Sequence, residues 1–150
     1  MAKHRARKRY GQHFLKDAHV AERIAALAAP GPGHALLEVG PGTGALTERL
    51  IALYGRLIGV EVDRNLAPGL RRRFPAEQLR LIEDDILRVD LAAVLEPEAA
   101  DALTVVGNVP YNITGPLLLR LMEQRRCMDR AVLMLQREVA DRLTAAPGGR

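Results

Sequence analysis

From residue 17 onward, short apolar runs alternate with stretches in which apolar residues recur every three or four positions. Runs of four to six residues at 35–39, 57–62, 79–82, 103–106 and 131–135 have strand length and β-branched content. The stretches at 45–54, 66–73, 86–95, 115–124 and 136–144 have helical spacing. A further helix is predicted over 17–29. Asp17 is its N-cap, Val20, Ile24 and Leu27 form its apolar stripe, and Pro30-Gly31-Pro32-Gly33 stops it. Pro116 and the Pro147-Gly148-Gly149 run fall at the expected boundaries of the last two helices.

Strands that alternate with helices predict an α/β fold, a mostly parallel sheet covered on both faces. Ligands of such sheets bind beyond the carboxyl ends of the strands, so the residues just after each strand are the ones to read for chemistry. The predicted organisation is a short arm over 1–16 and one domain over 17–150.

Composition adds limits. With 150 residues, 48% hydrophobic and 27% charged, the chain can bury the core of one globular domain. No run approaches the roughly 18 apolar residues that cross a bilayer, so no membrane is expected as partner. One cysteine, Cys127, leaves no internal disulfide and suits a reducing, cytoplasmic setting. His4, His13, His19 and His34 have no partner cysteines at metal-ligand spacing, so no metal is expected. The net charge is +4, but residues 1–9 hold five Lys or Arg and no acid. The remainder has 22 − 5 = 17 basic against 18 acidic groups. The excess therefore lies in the arm, which suits an anionic partner reached through phosphate contacts or, more plainly, a solvated tail. Arg71, Arg72 and Arg73 stand at a predicted helix end, where they complement the helix dipole.

The first strand ends in "LLEVGPGTGALTERL". Gly40, Gly42 and Gly44 permit a tight turn and a close backbone approach to a ligand, ahead of a helix N-terminus. Gly40-x-Gly42-x-x-Ala45 also satisfies a dinucleotide fingerprint, which leaves an NAD-dependent oxidoreductase open. Glu61, 21 residues after Gly40, is placed to accept both hydroxyls of a ribose. Asp63 reads as the cap of the next helix. Asp85, at the end of the third strand, suits an exocyclic amine or another helix cap. Together these residues describe a pocket for an adenosine-containing cofactor.

The fourth strand ends in "GNVPYN", residues 107–112. Asn108 offers an amide oxygen, and the Val109 and Pro110 carbonyls have no regular ladder to join. Two such acceptors can hold both hydrogens of a planar amine and aim its lone pair. Tyr111 can stack on a base. A hydride donor and acceptor pair is not evident, which disfavours the oxidoreductase.

"EVGPGTG", "GVEVD", "EDDIL" and "GNVPYNIT" stand in the order and spacing of S-adenosyl-L-methionine-dependent adenine-N6 methyltransferases. With "RYGQHFLKD" upstream and "MLQREVADRL" after the fifth strand, the chain resembles the ribosomal RNA adenine dimethyltransferases, in their small-subunit branch. The macrolide-resistance enzymes that act on large-subunit RNA share the asparagine-proline-tyrosine site but usually lack the "LQREV" form. The resemblance runs from about Lys8 to Arg150. It implies a Rossmann-like class I methyltransferase fold with S-adenosyl-L-methionine as cofactor. His13 and Leu15 would close over that cofactor, Gly40 would pass its methionine moiety, Glu61 would hold its ribose and Asp85 its adenine amine. Asn108, Pro110 and Tyr111 would form the catalytic site, Asn108 touching cofactor and target amine and Tyr111 stacking on the target adenine. The implied partner is small-subunit (16S) ribosomal RNA within the immature subunit, dimethylated at two adjacent adenosines of a 3′-terminal hairpin loop. A monomer is expected. A non-catalytic ribosome-assembly factor is the alternative of a different class.

The family pattern continues with further strands and a small helical domain. The sequence is therefore expected to be part of a longer enzyme, lacking an RNA-contacting aromatic that the family supplies later.

Overall fold

The structure, a computed structural model, describes residues 15–148. His13 and the basic arm lie outside these residues. Helix α1 (Ala18–Ala28) starts where Asp17 Oδ1 accepts the amides of His19 and Val20, at 2.9 and 3.4 Å. It ends against a side chain of α2 (Ala45–Tyr54). The Tyr54 hydroxyl donates to the Ala25 carbonyl at 2.7 Å and accepts from the Ala29 amide at 3.1 Å. The last turn of α1 is thus satisfied without a glycine at its C-cap.

Five parallel strands, β1 (His34–Val39), β2 (Leu57–Val60), β3 (Leu79–Ile82), β4 (Ala102–Asn108) and β5 (Met128–Met134), form one sheet in the order β3-β2-β1-β4-β5. Successive side chains point to opposite faces, and both faces are covered. Leu36, Leu57, Leu79 and Val106 pack with Ile24 and Ala25 of α1, with Leu46 and Leu50 of α2, and with Leu70 of α3 (Ala67–Arg73) and Phe74 beyond it. Their neighbours Leu37, Ile58, Val105 and Leu103 face the other way, against Leu91 and Val94 of α4 (Leu91–Leu95) and Leu117 and Leu121 of α5 (Thr114–Glu123). Leu37, Leu103 and Leu117 have no exposed surface. Burying each such leucine contributes about 1.5–3 kcal/mol. A final helix, α6 (Arg137–Thr144), follows β5.

The predicted element order holds throughout, with local corrections, among them a fifth strand that begins at Met128 rather than 131. The helix predicted over 86–95 forms only from Leu91, because Asp90 Oδ1 takes the Ala92 amide and starts α4 there, while residues 86–88 make a turn. Strand β2 stops at Val60 rather than 62. The N-cap of α3 is Leu66 rather than Asp63, whose carboxylate accepts the Asn65 amide at 3.0 Å and shapes the turn before the helix. Among the described residues, no helix is long and apolar enough to cross a membrane.

The strand order reverses between β1 and β4. The first three helices cover one face and α4 and α5 the other, so the loops after β1 and β4 diverge. A crevice opens there, at the carboxyl ends of the strands.

Candidate active site

The crevice is a cleft of about 380 Å³ lined by both loops and by the ends of β2 and β3. The loop after β1 is built by glycines in left-handed conformation. Gly40 (φ 65°) donates its amide to the Val60 carbonyl at 2.8 Å, which extends the β1–β2 pairing one step. A Cβ at Gly40 would meet nothing within 4 Å, so the backbone here borders open cleft. Gly44 (φ 91°) opens α2 and rests on Phe74: a Cβ there would lie 2.9 Å from the ring.

Glu61, 3% exposed, follows β2. Its Oε2 accepts the Gly42 amide at 2.8 Å and its Oε1 the Asp63 amide at 2.9 Å. Burial pushes its carboxyl above the ordinary range, against the lowering effect of the Asp63 and Gly42 amides. The buried oxygens retain lone pairs for a ligand's hydroxyls. Asp85 lies on the third side. One of its oxygens accepts the Leu87 amide at 2.9 Å, so it holds a turn and lines the cleft at once.

From the other side, the register pairs Val39 with Gly107 and so sets Asn108 at the level of Gly40. Asn108, Pro110, Asn112 and Ile113 line the cleft. A single 3-10 turn, Tyr111–Ile113, carries the Tyr111 side chain out to 52% exposure beside the cleft's lining. The Pro110 carbonyl is not the open acceptor the sequence suggested. It accepts the Ile113 amide and the Thr114 hydroxyl, each at 3.2 Å, which uses both lone pairs. Neither of those donors falls on the Val109 carbonyl.

Leu15, Gly40, Glu61, Asp85, Asn108 and Pro110, all singled out in the sequence, line this one cleft. A buried acid was missed, and one arginine was under-read. Glu38, 1% exposed, lines the cleft from within β1, and its Oε2 accepts the hydroxyl of fully buried Thr47 at 2.6 Å. Burial, with a smaller push from Glu61, raises its carboxyl to about 8 in spite of the Thr47 hydrogen bond. Its signal was a lone acid inside the apolar run "LLEV". Arg73 was read only as a dipole partner. It donates to the Thr43 carbonyl at 3.0 Å and to Glu48 at 2.6 Å. Arg71 of the same turn pairs with Glu83.

The family model for ribosomal RNA adenine dimethylases matches residues 3–150. The chain belongs to that family. Similar family members include the small-subunit ribosomal RNA methyltransferase A proteins of Methylibium petroleiphilum, 50% identical over 97% of this chain, and of Synechococcus elongatus, 47% identical over 97%. Each alignment takes in 55% of the relative, so the chain spans about half the length of the curated relatives it matches. Among solved structures, a dimethyladenosine transferase from Plasmodium falciparum superposes with a TM-score of 0.75 at 29% identity, covering 91% of this chain and 48% of that one. The 23S rRNA methyltransferase ErmE gives a TM-score of 0.74 at 28% identity, over 86% and 50%. The fold is the Rossmann-like methyltransferase fold. A SAM-bound amino pentose methyltransferase from Micromonospora echinaspora shares it with a TM-score of 0.53 at 27% identity, over 79% of this chain and 48% of that one.

The cleft's donor set fits an adenosyl cofactor. A buried carboxylate at the second strand end, a carboxylate at the third and an open glycine backbone at the first can meet ribose, adenine amine and amino-acid tail respectively.

Proposed function

We propose that this chain forms the cofactor-binding and catalytic part of an S-adenosyl-L-methionine-dependent enzyme that dimethylates N6 of two adjacent adenosines in small-subunit ribosomal RNA. The observation that carries the reading is the meeting of Gly40, Glu61 and Asp85 with Asn108 in one cleft, at the point where the strand order reverses. The names and identities of the small-subunit relatives favour that RNA over large-subunit RNA.

The cofactor supplies a methyl group on a positively charged sulfur that is its own leaving group. The protein's work is alignment. Glu61 accepts from the ribose hydroxyls and Asp85 from the adenine amine, which fixes the direction of the reactive end. Leu15 covers it, and His13 is assigned the same role from the sequence. Asn108 and the Val109 carbonyl accept the two hydrogens of the target amine, so that its lone pair faces the incoming methyl group. Tyr111 stacks on an adenine turned out of its loop, a role its half-exposed side chain supports. No side chain is assigned as general base, because an amide cannot take the proton and solvent can receive it after transfer. The basic residues of 1–9 suit the phosphates of the same RNA.

The test is transfer of labelled methyl from S-adenosyl-L-methionine to small subunits lacking the modification, with large subunits as control. Label in two adjacent adenosines of small-subunit RNA is expected. No label in either RNA, together with no affinity for the cofactor, would overturn the reading.

A further inference from the structure

The loop at 40–44 contains three glycines with positive φ, and such a segment does not keep one shape through its own torsional preferences. Glu61 holds it from the cleft side, through the Gly42 amide. A second hold comes from the opposite side. The Arg73 guanidinium, at the last position of α3, donates to the Thr43 carbonyl and to Glu48 in the first turn of α2, and lies 5.1 Å over the Phe74 ring. That ring in turn supports Gly44. Arg73 is not among the residues lining the cleft, whereas Thr43 is.

We propose that Arg73 is a positioning residue that acts through the Thr43 carbonyl to hold the glycine loop in its cofactor-receiving shape. The planar fork suits the task, because two nitrogens of one rigid group address the loop and the helix it opens. The ion pair with Glu48 is solvent-exposed, at 44% and 56% for the two side chains, and adds little to overall stability. The effect of Arg73 therefore falls on the loop rather than on the fold.

The ligand arm of the test rests on the proposed cofactor; the loop arm does not. Arg73→Met keeps an unbranched side chain and removes both donor nitrogens together with the charge over Phe74, Arg73→Lys restores one charged nitrogen, and Glu48→Gln removes only the ion pair. Amide hydrogen exchange at Gly42 and Gly44 in the free chain is expected to quicken in Arg73→Met, to recover in part in Arg73→Lys, and to stay near wild type in Glu48→Gln. Calorimetry with S-adenosylhomocysteine is expected to follow the same order, with about a tenfold loss for Arg73→Met, which is about 1.4 kcal/mol. The melting temperature is expected to move little. Unchanged exchange in Arg73→Met overturns the proposal, as does a Glu48→Gln variant that reproduces its full effect. Absence of cofactor binding in the wild-type chain counts against the proposed function alone, and the exchange data still decide on Arg73.

Discussion

The Gly42 amide donates to Glu61 Oε2 across 2.8 Å, so the side chain assigned to the cofactor's ribose also ties the loop after β1 to the end of β2. One substitution there removes two functions. Glu61→Gln keeps the shape but leaves one acceptor oxygen and turns an NH2 donor toward a backbone amide, and Glu61→Ala removes both acceptors. Calorimetry with S-adenosylhomocysteine should show a loss of about tenfold for Gln and more for Ala, since a hydrogen bond to a charged group contributes about 1.5–3 kcal/mol. Equal affinity in the wild type and Glu61→Ala would remove Glu61 from the site.

Glu38 makes stability depend on pH. In the folded chain its carboxyl titrates near 8, against an ordinary value of 4.5. Between these values the folded chain keeps a proton that the unfolded chain has released, so stability falls as pH rises through this window and levels off above it. Glu61, raised in the same direction, adds to the decline. Denaturant midpoints from pH 5 to 9 should fall in the wild type and fall less in Glu38→Gln, with a difference on the order of a few kcal/mol at the alkaline end. A Gln variant with the same slope would mean that Glu38 titrates normally.

Two glycines near the cleft should fail in different ways. At Gly40 an added methyl meets open space but a positive φ, so Gly40→Ala should cost about 1–2 kcal/mol of stability and intrude on the cofactor's path. At Gly107 an added Cβ would lie 2.9 Å from the Val39 carbonyl oxygen and 3.0 Å from its Cβ, forcing β1 and β4 apart. Thermal unfolding combined with cofactor titration separates them. Gly40→Ala loses affinity out of proportion to stability, while Gly107→Ala loses stability first.

Tyr111 is half-exposed, so its removal should leave folding and cofactor affinity close to wild type. Methyl transfer to RNA should drop, because stacking on one base contributes about 1–3 kcal/mol. Tyr111→Phe should retain most of the transfer and Tyr111→Ala little. An alanine variant with normal transfer would show that the ring does not hold the target base.

The sheet and most of the cleft were legible in the sequence because both follow from local signals. Runs such as Leu57–Val60, buried along the whole strand, are apolar without interruption, and the polar residues at their ends stand out against them. What was not legible depends on which groups the folded backbone brings within reach, near or far along the chain. Asp90 rather than Asp85 starts α4, although each accepts the amide two residues on, because only the turn after Asp90 continues into a helix. The Pro110 carbonyl looks free in the sequence and is taken up by the first turn it precedes. Arg73 reaches back 30 residues to Thr43, and no pattern of spacing announces that contact.

The strand order also governs when a working site can exist during synthesis. Gly40, Glu61 and Asp85 are all made before Asn108, yet β1 has β4 as its inner neighbour and β5 lies beyond that. Until residues 102–108 emerge, a nascent chain that already holds Gly40, Glu61 and Asp85 still presents one bare edge of its central strand. The last strand to flank β1 is the one that ends in Asn108, so completion of the sheet's centre and closure of the cleft's second wall are the same event.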